Sequence, residues 1–177
     1  MAKDNREITI KNNVIYDGKI LSLNCDDVLC PNGIKAKREI VHHHGGVCLL
    51  AIVDNKFVFI KQFRYAYGET LYELPAGKLE KNENTYDAGK RELIEEVGLK
   101  ADHLIDYGEM YPTCGYSDEK IHLYVAEGLT KTERHLDIDE NIDIVYLSKE
   151  EVLEKIKNNE IKDAKSICLF LRYINNL

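Results

Sequence analysis

Positive charge is what this sequence is short of. Its 24 Lys and Arg stand against 31 Asp and Glu, for a formal net charge of −7. That balance argues against a general nucleic-acid binder, which depends on clustered cations. An acidic surface also repels a phosphate-rich ligand, so phosphate chemistry would need cations supplied locally, by a metal or by a few placed arginines. Long apolar runs are absent too. No stretch approaches the length of a membrane span, and the opening MAKDNREITI holds no apolar h-region, so neither a membrane anchor nor a secretory signal is expected. The five cysteines (Cys25, Cys30, Cys48, Cys114, Cys168) are odd in number and form no C-x-x-C pair. Structural zinc and a disulfide framework are therefore not expected, and a reducing cytoplasm is the simplest compartment. There is no internal repeat, low-complexity tract or obvious linker. With 177 residues, 44% apolar and 31% charged, the chain suits one domain with a real core.

What is present begins as strands with hairpin punctuation. Residues 8–16 and 19–29 flank Asp17-Gly18, a two-residue hairpin signal, and Pro31-Asn32-Gly33 leads into a further alternating strand over 34–41. Two richer strands, VCLLAIV (47–53) and FVFIKQF (57–63), are joined at Asp54-Asn55. From Asn84 the period changes. Asn84 suits an N-cap, Gly98 suits the left-handed position that ends a helix, and Tyr86, Leu93 and Val97 share one angular sector between them. Strands return over 104–111, 121–126 and 142–147. Ser148-Lys149-Glu150-Glu151 is a capping box opening a helix to about Lys157, and an amphipathic segment over 163–174 closes the chain. The sum is an α/β domain with a mostly β N-terminal section.

The chemistry concentrates in GKLEKNENTYDAGKRELIEEVGL, Gly77 to Leu99. On a helix, offsets of three and four bring Glu92, Glu95 and Glu96 within an arc of roughly 100°. The stripe of Tyr86, Leu93 and Val97 lies on the other side and is expected to face the core. Like charges so gathered repel one another, and a cation among them relieves this; oxygen-only carboxylate ligands suit Mg²⁺ or Mn²⁺. An isolated E-x-x-E-E is more often a solvated helix face. This one follows Leu74-Pro75-Ala76-Gly77, a strand exit, with Glu83 and Arg91 at set offsets.

Gly77, Glu83, Arg91, Glu92, Leu93, Glu95, Glu96, Gly98 and Leu99 fill every position of the pattern G-x5-E-x7-R-E-U-x-E-E-x-G-U, U being aliphatic. The chain thus resembles the Nudix hydrolase family. The resemblance implies an α/β/α sandwich with a mixed sheet in which this segment forms loop, helix and loop, preceded by a small antiparallel N-terminal β region. It implies that Glu92 and Glu96 are the chief metal ligands, with Glu95 close by and the Ala76 carbonyl completing a site. Arg91 would hold the carboxylates by charge-assisted hydrogen bonds, Glu83 would be its partner or an outer ligand, and Gly77 and Gly98 would serve tight turns.

Lys61-Gln62-Phe63-Arg64-Tyr65, Glu73-Leu74-Pro75-Ala76-Gly77 and Tyr111 to Glu119 further resemble the ADP-ribose pyrophosphatase branch. That likeness implies Mg²⁺-dependent cleavage of ADP-ribose, or a similar ADP-sugar, to AMP and ribose 5-phosphate. Arg64 would clamp a phosphate, and Glu73 would bond adenine or ribose or else cap a turn. The general base would come from the acidic stretch before the strand at Ile142, with Glu140 first, as base or as additional metal ligand, and Asp139 next. Members commonly dimerise through the N-terminal region, which implies a homodimer, with residues 1–43 as dimerisation region and 44–177 as hydrolase domain. One position departs: where the branch usually has proline, sixteen residues beyond the box's second glycine, this chain has Cys114. Another nucleotide sugar or a dinucleotide therefore stays open as substrate. A non-catalytic nucleotide-sugar-binding module is also conceivable, but would be expected to have lost box carboxylates. His42-His43-His44 invites a metal reading, yet successive strand residues point to alternate faces and imidazole is a poor ligand for magnesium.

Overall fold

The computed structural model describes residues 4–136, 138 and 140–177. These form two compact units, one running up to His44 and including Tyr111–Lys120, the other comprising Gly45–Met110 and Ile121–Leu177.

The first unit is an antiparallel sheet of β1 (Ile8–Lys11), β2 (Val14–Asp17), β3 (Leu21–Leu29) and β4 (Lys35–His43). β4 pairs β3 residue for residue, while β1 and β2 follow one another along the opposite edge of β3. The single strand expected over 8–16 is thus broken in two. Asn13 is the reason: its N–H donates to Asp26 and its side-chain amide to the Cys25 carbonyl and to Asp27, local bonds that displace the regular ladder. The hairpin after Asp17 also differs from expectation. It closes over residues 18–20, with the Gly18 N–H on the Leu21 carbonyl, because neither Asp17 nor Gly18 takes the positive φ a two-residue type I′ turn requires.

In the second unit VCLLAIV is not one strand but a crossing between sheets. β5 (Gly46–Leu50) lies between β12 (Ile121–Glu127), to which it is parallel, and β9 (Ala76–Lys78), to which it is antiparallel; β11 (His103–Met110) completes this mixed sheet. Past Ala51 the chain becomes β6 (Ile52–Val53) of an antiparallel sheet with β7 (Lys56–Arg64), β8 (Glu69–Glu73) and β14 (Ile142–Leu147). Asp54 and Asn55, at φ 50° and 59°, make the tight β6–β7 turn. A short pair, β10 (Leu99–Lys100) with β13 (Thr130–Lys131), stands apart.

Helices cover both faces, as the alternation along β5 shows. Val47 and Leu49 pack with Ala88, Leu93 and Val97 of α1 (Thr85–Val97), whereas Cys48 and Leu50 pack with Val152 of α2 (Lys149–Lys157) and with Leu169 and Phe170 of α3 (Ala164–Ile174). The expected α/β/α sandwich is formed. Helix ends follow the sequence signals: Asn84 accepts from the Tyr86 N–H, Gly98 ends α1 at φ 64°, and Ser148 and Glu151 close a capping box. No helix among the described residues is long and apolar enough to cross a membrane.

Helix α3 is fastened to the second sheet by buried charge. Glu73, at the end of β8, accepts from Arg64 Nε at 2.6 Å and Nη2 at 2.8 Å, and from Lys165 Nζ at 2.5 Å. Lys165 also reaches Asp163 at 2.9 Å, and Asp163 caps α3 through the Ser166 N–H. Burial alone would raise the Glu73 pKa, but Arg64 and Lys165 outweigh it and bring it from 4.5 down to about 2. A depressed folded-state pKa means stability fully present above pH 4.5 and lost as pH falls through about 2. Urea midpoints measured from pH 5 downward should show a loss on the order of a few kcal/mol that flattens in Glu73→Gln; identical slopes in the two proteins would contradict the assignment.

Candidate active site

Helix α1 does not divide into an apolar face turned inward and an acidic face turned to water. Glu92 and Glu96 are only 8% and 2% exposed, as enclosed as Leu93 and Val97 beside them, and Glu95 is half-buried. The acidic side is covered because strand β9 packs on it. The Ala76 N–H donates to Glu96 Oε2 at 2.8 Å. At Gly77 an added Cβ would fall 1.9 Å from the Glu92 carboxyl group. Gly77 lies in β9 with no left-handed φ. Its role is therefore not the tight turn expected of it: it leaves the space in which the Glu92 carboxylate sits. Gly98 is the turn residue of the two.

Arg91 organises the rest. Its Nε and Nη2 grip both oxygens of Glu83 at 2.8 and 2.9 Å, and Nη1 donates to Glu92 Oε1 at 2.7 Å and Glu95 Oε2 at 2.8 Å. One guanidinium thus aligns three carboxylates, two from its own helix and one from the loop before it. The Glu83 hydrogen bonds hold Arg91 well above the ordinary arginine range, against the effect of burial.

Arg91 does not neutralise the cluster. Burial raises Glu92 to about 7 despite Arg91, with the Glu95 and Glu140 charges adding to the rise. Glu96 is raised to about 8, again by burial first, with the Ala76 N–H opposing it and Glu92 and Glu140 adding to it. Glu140 is therefore electrostatically coupled to both buried carboxylates. The β7–β14 register begins at Ile142↔Gln62, so Glu140 and Asn141 lead into β14 at the Arg64 end of β7. Asp139 lies outside the described residues. Among the described residues no group of three or more His, Cys, Asp or Glu side chains could hold a metal ion by itself. That still fits Mg²⁺, which commonly binds through one or two carboxylates and completes its shell with water and substrate phosphates. Two buried all-oxygen groups one helical turn apart, with room for the Glu92 carboxylate left by Gly77, suit such a cation, which would favour their ionised form.

Arg64 and Glu73 are brought together rather than presented separately. The guanidinium commits Nε and Nη2 to Glu73, leaves Nη1 outside these bonds, and is 37% exposed. Glu73 is buried with both oxygens engaged. The contact Ala76 makes here is through its N–H. In the first unit His42 Nδ1 lies 2.5 Å from Asp118 Oδ2 and His43 Nδ1 lies 3.3 Å from Glu119 Oε1, so these two histidines face separate carboxylates. Sequence reasoning missed the first turn of α3. Ser166 is fully buried, and its Oγ accepts from the Leu74 N–H at 2.7 Å and donates to Asp163 Oδ2 at 2.5 Å. Three polar residues, Asp163, Lys165 and Ser166, ahead of the apolar run over 167–171 were the available signal.

Residues 42–170 match the NUDIX domain model. The chain is 42% identical over 170 residues to a methanol dehydrogenase activator of Bacillus methanolicus, covering 94% of this chain and 92% of that protein. It is 40% identical over 167 residues to an ADP-ribose pyrophosphatase of Bacillus subtilis, covering 93% and 90%. Its fold is similar to a crystal structure of an ADP compounds hydrolase, with a TM-score of 0.86 at 18% identity over 98% and 96% of the two chains. With a family match spanning most of its length and every box residue in place, the chain belongs to the Nudix family and is a Nudix hydrolase.

Proposed function

We propose that this hydrolase cleaves the pyrophosphate bond of ADP-ribose, or a similar ADP-sugar, giving AMP and ribose 5-phosphate. The observation that carries the reading is the Arg91-organised cluster around buried Glu92 and Glu96. The QFR and ELPAG segments and the 40% identity to an ADP-ribose pyrophosphatase favour this substrate class.

Glu92 and Glu96 would hold Mg²⁺, or Mn²⁺ in its place, with Glu95 close by, the Ala76 carbonyl completing the site, and Glu140 serving either as base or as an additional ligand. When bound, the cation supplies positive charge for the phosphate oxygens and for the attacking water. Arg91 keeps Glu92 and Glu95 aligned, and the Ala76 N–H fixes Glu96. As the base, Glu140 would accept the proton of the attacking water while the water oxygen bonds to one phosphorus and the bridging oxygen leaves with the other phosphate. Arg64, steadied by Glu73, directs its remaining N–H groups at phosphate.

We further propose that residues 1–43 dimerise the chain and 44–177 carry the chemistry. Strands β1 and β2 are exposed along their whole length, with Ile8, Ile10, Val14 and Ile15 all at least half exposed, and a second copy is the partner best suited to cover them. Five free cysteines suit a reducing cytoplasm.

With Mg²⁺, a panel of ADP-ribose, GDP-mannose, NADH and dinucleoside polyphosphates should show preferred turnover of ADP-ribose. Glu96→Gln should lower kcat by at least on the order of 100-fold. No turnover of any compound by the wild type would overturn the enzyme reading for these substrates, and full activity in Glu96→Gln would overturn the metal cluster. Gly77→Ala should keep the circular dichroism spectrum while losing roughly 100-fold in activity, because its Cβ displaces the Glu92 carboxylate; an active variant would contradict that packing role. Light scattering should give twice the 20.4 kDa chain mass, and a monomer would remove the dimer proposal.

A further inference from the structure

The buried charge at the start of α3 is larger than fastening a helix requires. A single cation would satisfy Glu73, yet two converge on it: Arg64 through Nε and Nη2, and Lys165 through Nζ. The two are not equivalent. Lys165 is 15% exposed, holds Glu73 and Asp163 together and is tied into the helix, whereas Arg64 is 37% exposed and has Nη1 outside these bonds. Asp163 is engaged elsewhere as well, since both the N–H and the Oγ–H of Ser166 donate to it. Across the cluster two cations, Arg64 and Lys165, meet two carboxylates, Glu73 and Asp163, so the charges balance and Arg64 is the member at the exposed edge.

Arg64 grips Glu73 bidentately, Nε on Oε1 and Nη2 on Oε2, which fixes the plane of the guanidinium. Lys165 shares Glu73 Oε2 with Arg64 Nη2. It therefore fixes the Glu73 carboxylate from the α3 side, and with it the guanidinium whose Nη1 stays outside these bonds. The same helix start also grips the strand leading to the metal-holding residues, through Ser166 Oγ on the Leu74 N–H, two residues before Ala76.

We propose that Lys165 is a positioning residue for substrate phosphate: by holding Glu73 it keeps the Arg64 guanidinium oriented toward the pyrophosphate. The inference rests on the hydrolase reading above and adds to it a residue about a hundred positions from Arg64 in sequence, carried by the opposite-face helix α3.

The test is a double-mutant cycle read in KM and kcat for ADP-ribose with Mg²⁺. Lys165→Met should raise KM about tenfold, the effect of losing one charge-assisted contact, with kcat changed by less than about twofold. Lys165→Arg should restore KM to within a few fold. In an Arg64→Ala background Lys165→Met should have no further effect on KM, because both substitutions act on one contact. Additive effects, or a KM unchanged in Lys165→Met, would overturn the proposal while leaving the hydrolase reading intact. Wild-type protein inactive on every compound would overturn both. Should Lys165→Met fail to fold, Lys165→Gln takes its place in the cycle; if neither folds, Lys165 is a structural residue and the proposal fails.

Discussion

Two carboxylates one helical turn apart, both withdrawn from water, set the terms for the rest of this fold. Burial opposes ionisation of Glu92 and Glu96, and their proximity to each other and to Glu140 adds to the opposition. An arrangement of that kind persists only if surrounding groups fix it. Arg91 does so with its guanidinium spread over Glu83, Glu92 and Glu95, and β9 does so with one backbone N–H and one missing Cβ. The cluster collects more carboxylates than Arg91 can pair, and on the proposed reading a divalent cation completes it. The acidic balance of the whole chain sharpens the point, since an anionic substrate approaching such a surface needs positive charge where it binds.

Positioning comes from two sheets and from helices on opposite faces. β5 is the hinge of the arrangement: its alternate residues pack against α1 on one side and α3 on the other, and its continuation past Ala51 enters the second sheet. The strand exit at Leu74-Pro75-Ala76 is therefore held from two directions. Glu96 bonds the Ala76 N–H from α1, and Ser166 bonds the Leu74 N–H from α3. Charged groups on β7, β8 and α3 meet at Glu73, so the arginine expected to face phosphate is organised from the opposite face of the sandwich.

Much of this was legible in the sequence, and the reasons it was or was not are local. The α1 boundaries were readable because Asn84 and Gly98 act through their own side chain and backbone conformation. The Arg91 and Glu83 pairing was expected from the family pattern, and the i, i+4 relation of Arg91 to Glu95 is a helix-surface rule. Periodicity gave no warning that Glu92 and Glu96 are buried, because an acidic helix face and a covered one have the same spacing; what covers it is β9, a three-residue strand. The break at Asn13 depends on acceptors supplied from β3, and the division of VCLLAIV depends on which sheet each half joins. Neither partner can be read from the segment itself. Lys165 and Ser166 escaped for the same reason, since their partners are 92 residues away.

The central claim is that Glu92 and Glu96 together form the seat of a divalent cation. Mn²⁺ binding followed by the paramagnetic resonance signal of the free ion, with AMP present, tests it without relying on turnover. The wild-type chain should deplete the free Mn²⁺ signal, and a folded Glu92→Gln/Glu96→Gln double variant should leave it at the level of buffer. Depletion by the double variant equal to that of the wild type would contradict the claim.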